Sequence, residues 1–266
     1  MKINTVKLIS FSPTGTTQKI IESIAAGTGI ETVNPINLTM ADSLQISDTL
    51  ASNELAVIGA PVYGGRLSVD AVQRFKKIKG DNTPAVIIVV YGNRAYEDAL
   101  LELKHLALEL GFIPVAGGAF IAEHSFATKE KPIANGRPGN EDLKTAEALG
   151  KKVQILLSEL QSSENADDLQ IPGDFPYKSS MPERAFSPVT TEDICTLCGD
   201  CADSCPTDAI VVNETVETDV GKCILCCACI KQCPTGARVM KEQAMLDIAT
   251  YLYDNFQERK EPEVFI

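Results

Sequence analysis

The amino-acid sequence predicts an α/β protein in which a doubly wound parallel sheet is followed by a smaller domain. Over the first 165 residues, apolar runs rich in β-branched residues alternate with stretches of helical spacing, which is the pattern of repeated βαβ units. All nine cysteines lie between Cys195 and Cys233. Because a chain of 266 residues exceeds one average domain, we expect two domains of different chemistry.

Five strands and four helices are predicted in the first domain. The strand segments are apolar without interruption, which is typical of strands covered on both faces. They are residues 6–11, 33–38 (the weakest), 55–62, 85–91 and 113–121. The predicted helices are residues 17–26, 69–78, 96–110 and 141–160. Ligands of such sheets bind at the carboxyl ends of the strands, so we expect the site in the loops that follow strands.

A loop of hydroxyl residues and glycine joins the first strand to the first helix. It reads Ser12-Pro13-Thr14-Gly15-Thr16-Thr17. Backbone N–H groups at a helix N-terminus, together with such hydroxyls, bind phosphate without a cationic side chain. Neither a lysine after the glycine nor a G-x-G-x-x-G run is present, which disfavours a nucleotide-hydrolysing loop and a dinucleotide fingerprint. A well-capped helix is the alternative explanation of the hydroxyls.

This S-x-T-G-x-T loop resembles the phosphate-binding loop of flavodoxins. The resemblance covers residues 1–165 and implies a flavodoxin-like five-stranded sheet that binds FMN, with Ser12, Thr14, Gly15, Thr16 and Thr17 at the phosphate. It also implies that the loops after the third and fourth strands hold the flavin ring. The corresponding residues here are Pro61, Val62, Tyr63, Gly64, Gly65, Gly92, Asn93, Arg94 and Tyr96. Glycines allow a close backbone approach to the ring, and Tyr63 and Tyr96 are the candidates for stacking.

His124 is the candidate catalytic residue. It follows the fifth strand and begins an irregular stretch that we interpret as a lid. An imidazole of ordinary pKa suits proton delivery to a reduced flavin. A purely structural histidine is the alternative.

Two cysteine runs of equal spacing define the second domain. Cys195, Cys198, Cys201 and Cys205 recur 28 residues later as the four cysteines Cys223, Cys226, Cys229 and Cys233. Three cysteines at three-residue steps suit one cubane, and the fourth, which precedes a proline, ligates the other cluster in this pattern. Zinc sites also use C-x2-C pairs but need neither the third step nor the trailing proline.

Residues 191–240 resemble a bacterial two-cluster ferredoxin. The resemblance implies two [4Fe-4S] clusters, one held by Cys195, Cys198, Cys201 and Cys233, the other by Cys223, Cys226, Cys229 and Cys205. The ninth cysteine, Cys227, lies outside this ligand set and matches Gly199 of the first run. It is either a small buried residue or a redox-active or alternative ligand.

The remaining segments are a linker and a C-terminal extension. Residues 166–190 are polar and then proline-rich, which predicts an interdomain linker, pinned to a surface by Phe175, Tyr177 and Phe186. Residues 242–254 have the apolar spacing of a packing helix, and we expect the tail from residue 257 to be solvated. The predicted divisions are therefore 1–165, 166–190, 191–240 and 241–266.

Charge and hydropathy exclude some classes of partner. Acidic residues number 36 against 24 basic, a formal net charge of −12, which makes nucleic acid an unexpected partner. No stretch approaches the roughly 18 apolar residues of a membrane span, and the N-terminus lacks a signal-peptide pattern. Because the cysteines are clustered rather than spread as disulfide partners, we expect a reducing compartment, the cytoplasm.

The two resemblances together are those of a flavodoxin/ferredoxin fusion protein. They imply electron transfer between two [4Fe-4S] clusters and an FMN in one chain, which couples one-electron and two-electron chemistry. The expected partner is a redox protein or a small-molecule electron acceptor. Two alternatives stay open: a flavin-dependent reductase of a specific small molecule with the ferredoxin part as built-in donor, and a ferredoxin tethered to a flavin-free interaction domain.

Overall fold

The structure is a computed structural model that describes residues 1–180 and 186–266; residues 181–185 of the predicted linker lie outside the described residues. The strands, in chain order, are β1 (Thr5–Ser10), β2 (Val33–Asn37), β3 (Asp48–Leu50), β4 (Glu54–Tyr63), β5 (Arg66–Leu67), β6 (Ile78–Gly80), β7 (Thr83–Tyr91), β8 (Phe112–Ile121), β9 (Val189–Thr190), β10 (Ile210–Val212), β11 (Val216–Thr218), β12 (Arg238–Val239) and β13 (Glu263–Phe265). The helices are α1 (Thr16–Thr28), α2 (Val69–Phe75), α3 (Ala99–Glu109), α4 (Asn140–Glu159), α5 (Asp200–Asp203), α6 (Ala228–Lys231) and α7 (Gln243–Asn255). Three short 3-10 helices are Ala41–Gln45, Ser163–Asn165 and Glu192–Ile194.

The main sheet has five parallel strands in the order β2-β1-β4-β7-β8. Counted among these five strands alone, the order is 2-1-3-4-5, which is the flavodoxin-like order of doubly wound sheets. The predicted fold class is therefore confirmed. The strand order reverses between β1 and β4, so the carboxyl ends of these strands, near Ser10 and Tyr63, lie side by side.

The expectation of a solvated C-terminal tail is wrong. Residues Glu263–Phe265 form β13, which pairs antiparallel with β8, placing Val264 opposite Gly118. Val264 and Phe265 pack against the two apolar cores of the domain. The tail thus covers an edge of the sheet that would otherwise expose unpaired backbone groups.

Helices cover both faces of the sheet. In β1, Val6 and Leu8 belong to the core cluster that includes α1 and α4, whereas Ile9 belongs to the cluster that includes α2 and α3. This alternation follows from the two-residue period of a strand, which sends successive side chains to opposite faces. The core is buried on both sides, which explains the uninterrupted apolar character of the strands.

Two glycines let α1 and α4 cross at backbone contact. A Cβ atom at Gly150 would lie 2.0 Å from the carbonyl oxygen of Ile24, and one at Gly27 would lie 2.0 Å from that of Glu147. No side chain fits at either point. The pair of glycines therefore fixes how closely the two helices pack.

The second domain is built from two similar halves. Each cysteine run contains a short helix, α5 or α6, before its fourth cysteine. The N-cap residue of each helix has a positive φ: 91° at Gly199 and 59° at Cys227. Leu197 and Leu225, two residues before these caps, also match, with φ of 54° and 57°. The hairpin β10-β11 and the antiparallel pair β12-β9, whose strands come from the two ends of the domain, complete it.

The described part of the linker packs on the first domain. Leu169 is buried in the core, and the backbone N–H groups of Asp174 and Lys178 donate to the carboxylate of Asp98 at 2.9 and 2.7 Å. The Tyr177 hydroxyl and a His105 ring nitrogen are 2.6 Å apart. Among the described helices, none combines the length and apolar character that a bilayer span requires.

We expect Gly150→Ala to lower the free energy of unfolding by about 1–3 kcal/mol, because the added methyl meets backbone that cannot rotate away. This cost outweighs the roughly 1 kcal/mol by which alanine is favoured over glycine in a helix. Chemical denaturation followed by far-UV circular dichroism under anaerobic conditions measures the change. Gln154→Ala, at an exposed position of the same helix, is the matched control and should change stability by less than about 0.5 kcal/mol. A Gly150→Ala protein as stable as wild type would contradict the close crossing.

Candidate cofactor sites

The loop after β1 leads directly into the N-terminus of α1. Gly15 is the N-cap of α1 with φ of 76° and makes no side-chain cap hydrogen bond. The Ser12 hydroxyl accepts the Gln18 N–H at 3.1 Å, and the Ser12 carbonyl accepts the Gly15 N–H at 3.0 Å. The hydroxyls of Thr14 and Thr16 lie 3.3 Å apart. Free N–H groups and hydroxyls at the N-terminus of a 13-residue helix are the donor set that a phosphate needs.

A large pocket of about 1300 Å³, part of it open to solvent, lies at the carboxyl ends of the parallel strands. Eighteen residues of the first domain line it: Ser12, Pro13, Thr14, Thr16, Thr17, Pro61, Val62, Tyr63, Gly64, Val90, Tyr91, Gly92, Arg94, Ala122, Glu123, His124, Ser125 and Phe126. Its other wall comes from later in the chain: Lys178, Ile224, Leu225, Ile248, Tyr251 and Leu252. Ten of the predicted flavin contacts, and His124, therefore come together in one pocket, with Gly15 in the loop between two lining residues.

Gly64 and Gly65 form a two-residue turn between β4 and β5. Their φ angles are 63° and 87°, and Tyr63 pairs with Arg66 across the turn, as in the tight hairpins that require positive φ at both central residues. Gly64 lines the large pocket. Gly65 does not, because it packs on Glu97, whose carboxylate would lie 1.7 Å from an added Cβ.

Tyr96 and Asn93 do not line the large pocket, which corrects the sequence-based placement of both. The Tyr96 hydroxyl donates to the Glu263 carboxylate at 2.9 Å, and the ring is buried. Asn93 donates from Nδ2 to the backbone carbonyls of Phe256 and Glu258 at 2.7 and 2.9 Å. Both side chains hold the C-terminal segment, so Tyr63 is the one predicted stacking residue that faces the pocket.

Both arginines near the pocket are paired with carboxylates. Arg66 binds Glu102 through two hydrogen bonds of 2.8 and 2.7 Å, which turns it away from the pocket. Arg94 lines the pocket and donates to Glu97 at 2.7 Å. Glu97 also pairs with Lys178, so the positive charge at this side of the pocket is partly neutralised.

His124 is a neutral hydrogen-bond donor rather than a cationic acid. Burial, with the cations of Arg94 and Lys231 adding to it, lowers the pKa of His124 to about 4. The Phe126 N–H donates to its Nδ1 at 3.0 Å, so the ring proton resides on Nε2. Gly92 makes room for the ring, because a Cβ there would lie 2.4 Å from His124 Cδ2. At neutral pH the imidazole thus offers an N–H group to the pocket.

Two cysteine-lined cavities occupy the second domain. The proximal cavity contains Cys205, Cys223, Cys226 and Cys229 in its lining. The distal cavity contains Cys195, Cys198, Cys201 and Cys233. The fourth cysteine of each run therefore lies with the first three of the other run, as the predicted ligand sets require.

The chemistry of these donors fits iron. Burial raises the pKa of the Cys226 thiol to about 12 and that of Cys229 to about 11. A buried thiolate is unfavourable by itself, whereas a coordinated metal ion deprotonates its thiol ligand. The cavities therefore suit a bound positive centre better than free thiolates.

Cys227 is placed as a small buried residue. Its side chain, 2% exposed, donates from Sγ to the carbonyl of Leu225 at 3.6 Å. Its positive φ is shared with Gly199 in the other half. The side chain also borders the proximal cavity, but its thiol is already engaged.

The large pocket and the proximal cavity share a wall. Ile224 lines both. Tyr63 lies beside the same cysteine run. The pKa of its hydroxyl is raised well above the ordinary value, first by burial and then by the nearby side chains of Cys226, Cys227, Asp70 and Cys223.

The residues that line the pocket from outside the first domain were not predicted. Ile248 and Leu252 belong to the predicted packing helix. Its apolar spacing indicated that one face is buried but did not indicate which surface that face contacts. Tyr251 and Leu225 carried no local signal at all. Their roles arise from how distant segments dock.

Comparison with known proteins identifies the second domain. A family of 4Fe-4S dicluster domains matches residues 187–234, whereas no curated protein matches the chain. Among solved structures, a flavodoxin from the domain Archaea is 17% identical, with 60% of this chain and 100% of that chain covered and a TM-score of 0.36. Two-electron reduced Megasphaera elsdenii flavodoxin is 16% identical, with coverage of 55% and 98% and a TM-score of 0.36. Rubredoxin oxygen:oxidoreductase from Desulfovibrio gigas is 13% identical, with coverage of 62% and 38% and a TM-score of 0.39.

The strand order of the sheet makes the fold of the first domain flavodoxin-like. Residues 187–234 match a 4Fe-4S dicluster domain, a kind of domain that transfers electrons. The chain therefore joins a flavodoxin-like domain to a ferredoxin-type 4Fe-4S domain.

We expect the His124 imidazole to stay neutral from pH 8 to about pH 5, and to take up a proton only near pH 4. Because its folded-state pKa lies below the unfolded value, the unfolded state binds more protons between those two values. Stability therefore falls as pH is lowered through this window, by an amount on the order of 1–3 kcal/mol.

An NMR pH titration of protein labelled at histidine carbon measures this directly. The chain has two histidines, so His105→Gln assigns the remaining signal to His124. His124→Gln should flatten the dependence of stability on pH between about 4 and 6.5. A His124 signal that titrates near pH 6.5 would show that the ring is not held neutral.

We expect Cys227→Gly to keep the full iron content, because glycine adopts the positive φ of this site without strain and no ligand is removed. Cys226→Gly, at the neighbouring position, should lose about half of the iron, since it removes one predicted ligand of one of the two predicted clusters. Iron and acid-labile sulfide assays after anaerobic purification compare the two. Loss of iron from Cys227→Gly would instead make Cys227 a ligand.

Proposed function

We propose that the chain transfers electrons between two [4Fe-4S] clusters and an FMN. When bound, the clusters would supply one-electron transfer and FMN would exchange between one-electron and two-electron chemistry. One observation carries the proposal: Ile224, in the second cysteine run, lines both the proximal cavity and the large pocket. Two cofactors held in these spaces would be separated by little more than one side chain.

The residues that would hold the clusters are the two crossed sets of four cysteines. Cys205, Cys223, Cys226 and Cys229 would hold the proximal cluster, and Cys195, Cys198, Cys201 and Cys233 the distal one. Because each run contributes ligands to both sets, the two cavities depend on each other for their shape.

The residues that would hold FMN form two groups, one at the phosphate and one at the flavin ring. Ser12, Thr14, Thr16 and Thr17, with the backbone around Gly15, would bind the phosphate. The turn at Tyr63 and Gly64 and the loop from Gly92 to Arg94 would flank the ring, and His124 would offer its Nε2–H to it.

The chain covers the large pocket from the side of the second domain. Ile248 and Leu252 of α7, with Ile224 and Leu225, give this wall an apolar surface, which excludes water and keeps a partner protein away from the pocket. In contrast, Cys198 of the distal cavity is exposed. The distal cluster is therefore the expected contact for a redox partner protein, and the pocket mouth that for a small-molecule acceptor.

The surface charge of the second domain is consistent with a basic partner. Residues 191–240 carry eight acidic and three basic side chains, which would steer a positively charged protein face toward the distal cluster. A reducing compartment such as the cytoplasm suits this function, because the thiols must stay available for iron.

The cofactor content is the first test. After strictly anaerobic purification, we expect about eight iron, eight sulfide and one FMN per chain. Full iron without FMN, even after reconstitution, would leave a ferredoxin tethered to a flavin-free domain.

We expect rapid reduction of the distal cluster to be followed by reduction of the flavin in the same chain. Cys226→Ala, which removes a ligand of the proximal cluster, should abolish this fast flavin phase while the flavin remains bound. Cys227→Ala is the matched control one residue away and should keep it. Anaerobic stopped-flow absorbance, with a one-electron protein donor, resolves the two phases. A flavin phase of equal rate in wild type and Cys226→Ala would disprove transfer through the proximal cluster.

A further inference from the structure

Arg238 is a buried cation between the two cysteine-lined cavities. It lies in β12, is 2% exposed, and lines both the proximal and the distal cavity. Its Nη2 lies 3.9 Å from Sγ of Cys229 in the proximal cavity, and it lines the distal cavity together with Cys201 and Cys233. One residue thus lies beside cysteines of both predicted ligand sets.

Neutral groups hold the guanidinium in place. Its Nη1 donates to Thr190 Oγ1 at 2.9 Å, and its Nη2 donates to the Pro188 carbonyl and to Thr218 Oγ1, each at 2.9 Å. These hydroxyl and carbonyl acceptors fix the plane of the guanidinium but supply no negative charge. Among the described residues, the Nε–H group has no hydrogen-bond partner although it is buried.

Arg238 has no carboxylate partner in the described part of the chain. None of the ion pairs formed there includes it. A buried cation is costly unless it is paired, and the three hydrogen-bonded acceptors offset only part of that cost. Within the described part of the chain, Arg238 is therefore a positive charge without a carboxylate partner at the point where the two cavities meet.

Negative charge on both sides would compensate it. An iron–sulfur core held by four thiolates carries a net negative charge, which increases on reduction. A fixed cation nearby stabilises the more negative, reduced state, and charge and N–H contacts to sulfur are two of the factors that set a cluster's reduction potential. Reduction of one cluster also disfavours reduction of its neighbour, and a cation between them stabilises the reduced state of each.

We propose that Arg238 is a shared counter-cation that raises the reduction potentials of both clusters. The proposal rests on the two-cluster assignment of the proposed function. Arg238 is a positioning and tuning residue, since it binds no iron itself. Because it lines both cavities, its charge acts on both clusters.

Redox titration followed by EPR of each cluster tests this. We expect Arg238→Gln, which keeps hydrogen-bonding capacity but removes the charge, to lower the midpoint potentials of both clusters. Lys241→Gln removes an exposed cation three residues away and should leave both unchanged, because solvent screens it. Unchanged potentials in Arg238→Gln, a shift of only one cluster, or an equal shift in Lys241→Gln would overturn the proposal.

A second variant covers the case in which Arg238→Gln fails to assemble its clusters. Arg238→Lys retains the positive charge but not the planar set of guanidinium donors, so it should keep both clusters at reduction potentials close to those of wild type. Loss of both clusters, or potentials far below wild type, would show that the hydrogen bonds matter and the charge does not. Iron content separates the two proposals: a wild-type chain with one cluster removes the proposed cofactor set, whereas two clusters indifferent to Arg238 overturn this inference alone.

Discussion

The buried guanidinium of Arg74 is the contact on which the arrangement of the two domains depends. Arg74 lies in α2 and donates to the carbonyls of Leu38 (3.0 Å) and Thr39, both in the loop after β2. It also donates at 2.6 Å to the carbonyl of Pro206, the residue that follows the fourth cysteine of the first run. Thr39 in turn accepts the Ser12 N–H at 2.9 Å. A continuous series of polar contacts therefore joins the loop that begins at Ser12 to Pro206, the residue after Cys205 of the proximal cavity. Arginine suits this position because it stays charged when buried and carries several donors in a fixed plane.

The C-terminal segment ties the second domain back to the first. Asn93 donates to two backbone carbonyls of this segment. The Arg137 guanidinium, which is paired with Asp142, donates to the carbonyl of Lys260 at 2.6 Å. At the end of the segment, β13 joins the main sheet. The second domain is thus attached to the first by the linker before it and by the strand after it. Because α7 lies between these attachments, it is held over the large pocket, and the wall formed by Ile248 and Leu252 follows from the topology.

Features encoded by local spacing could be predicted from the sequence, and features created by docking could not. The cysteine spacing specifies which four sulfurs share a cavity because three-residue steps and a following proline constrain the backbone directly. The position of the Ser12 to Thr17 loop could also be predicted, since hydroxyl residues and glycine are common where a strand leads into a helix; that the loop binds phosphate stays a prediction. Tyr96 shows the limit: a tyrosine in a loop after a strand suits ring stacking, yet its hydroxyl binds Glu263, 167 residues later. No local pattern encodes such a partner.

The histidine shows a subtler limit, because its position was predicted and its chemistry was not. A sequence supplies the ordinary pKa of an imidazole, whereas the pKa of His124 depends on burial and on Arg94 and Lys231, which come from two domains. The same docking that brings Lys231 to Glu123 therefore disfavours a proton on the ring. If FMN occupies the pocket as we propose, the chain gives its ring a neutral N–H donor and no cationic acid at this point, so the docked second domain influences the flavin through the charge state of His124 as well as through the wall at Ile224.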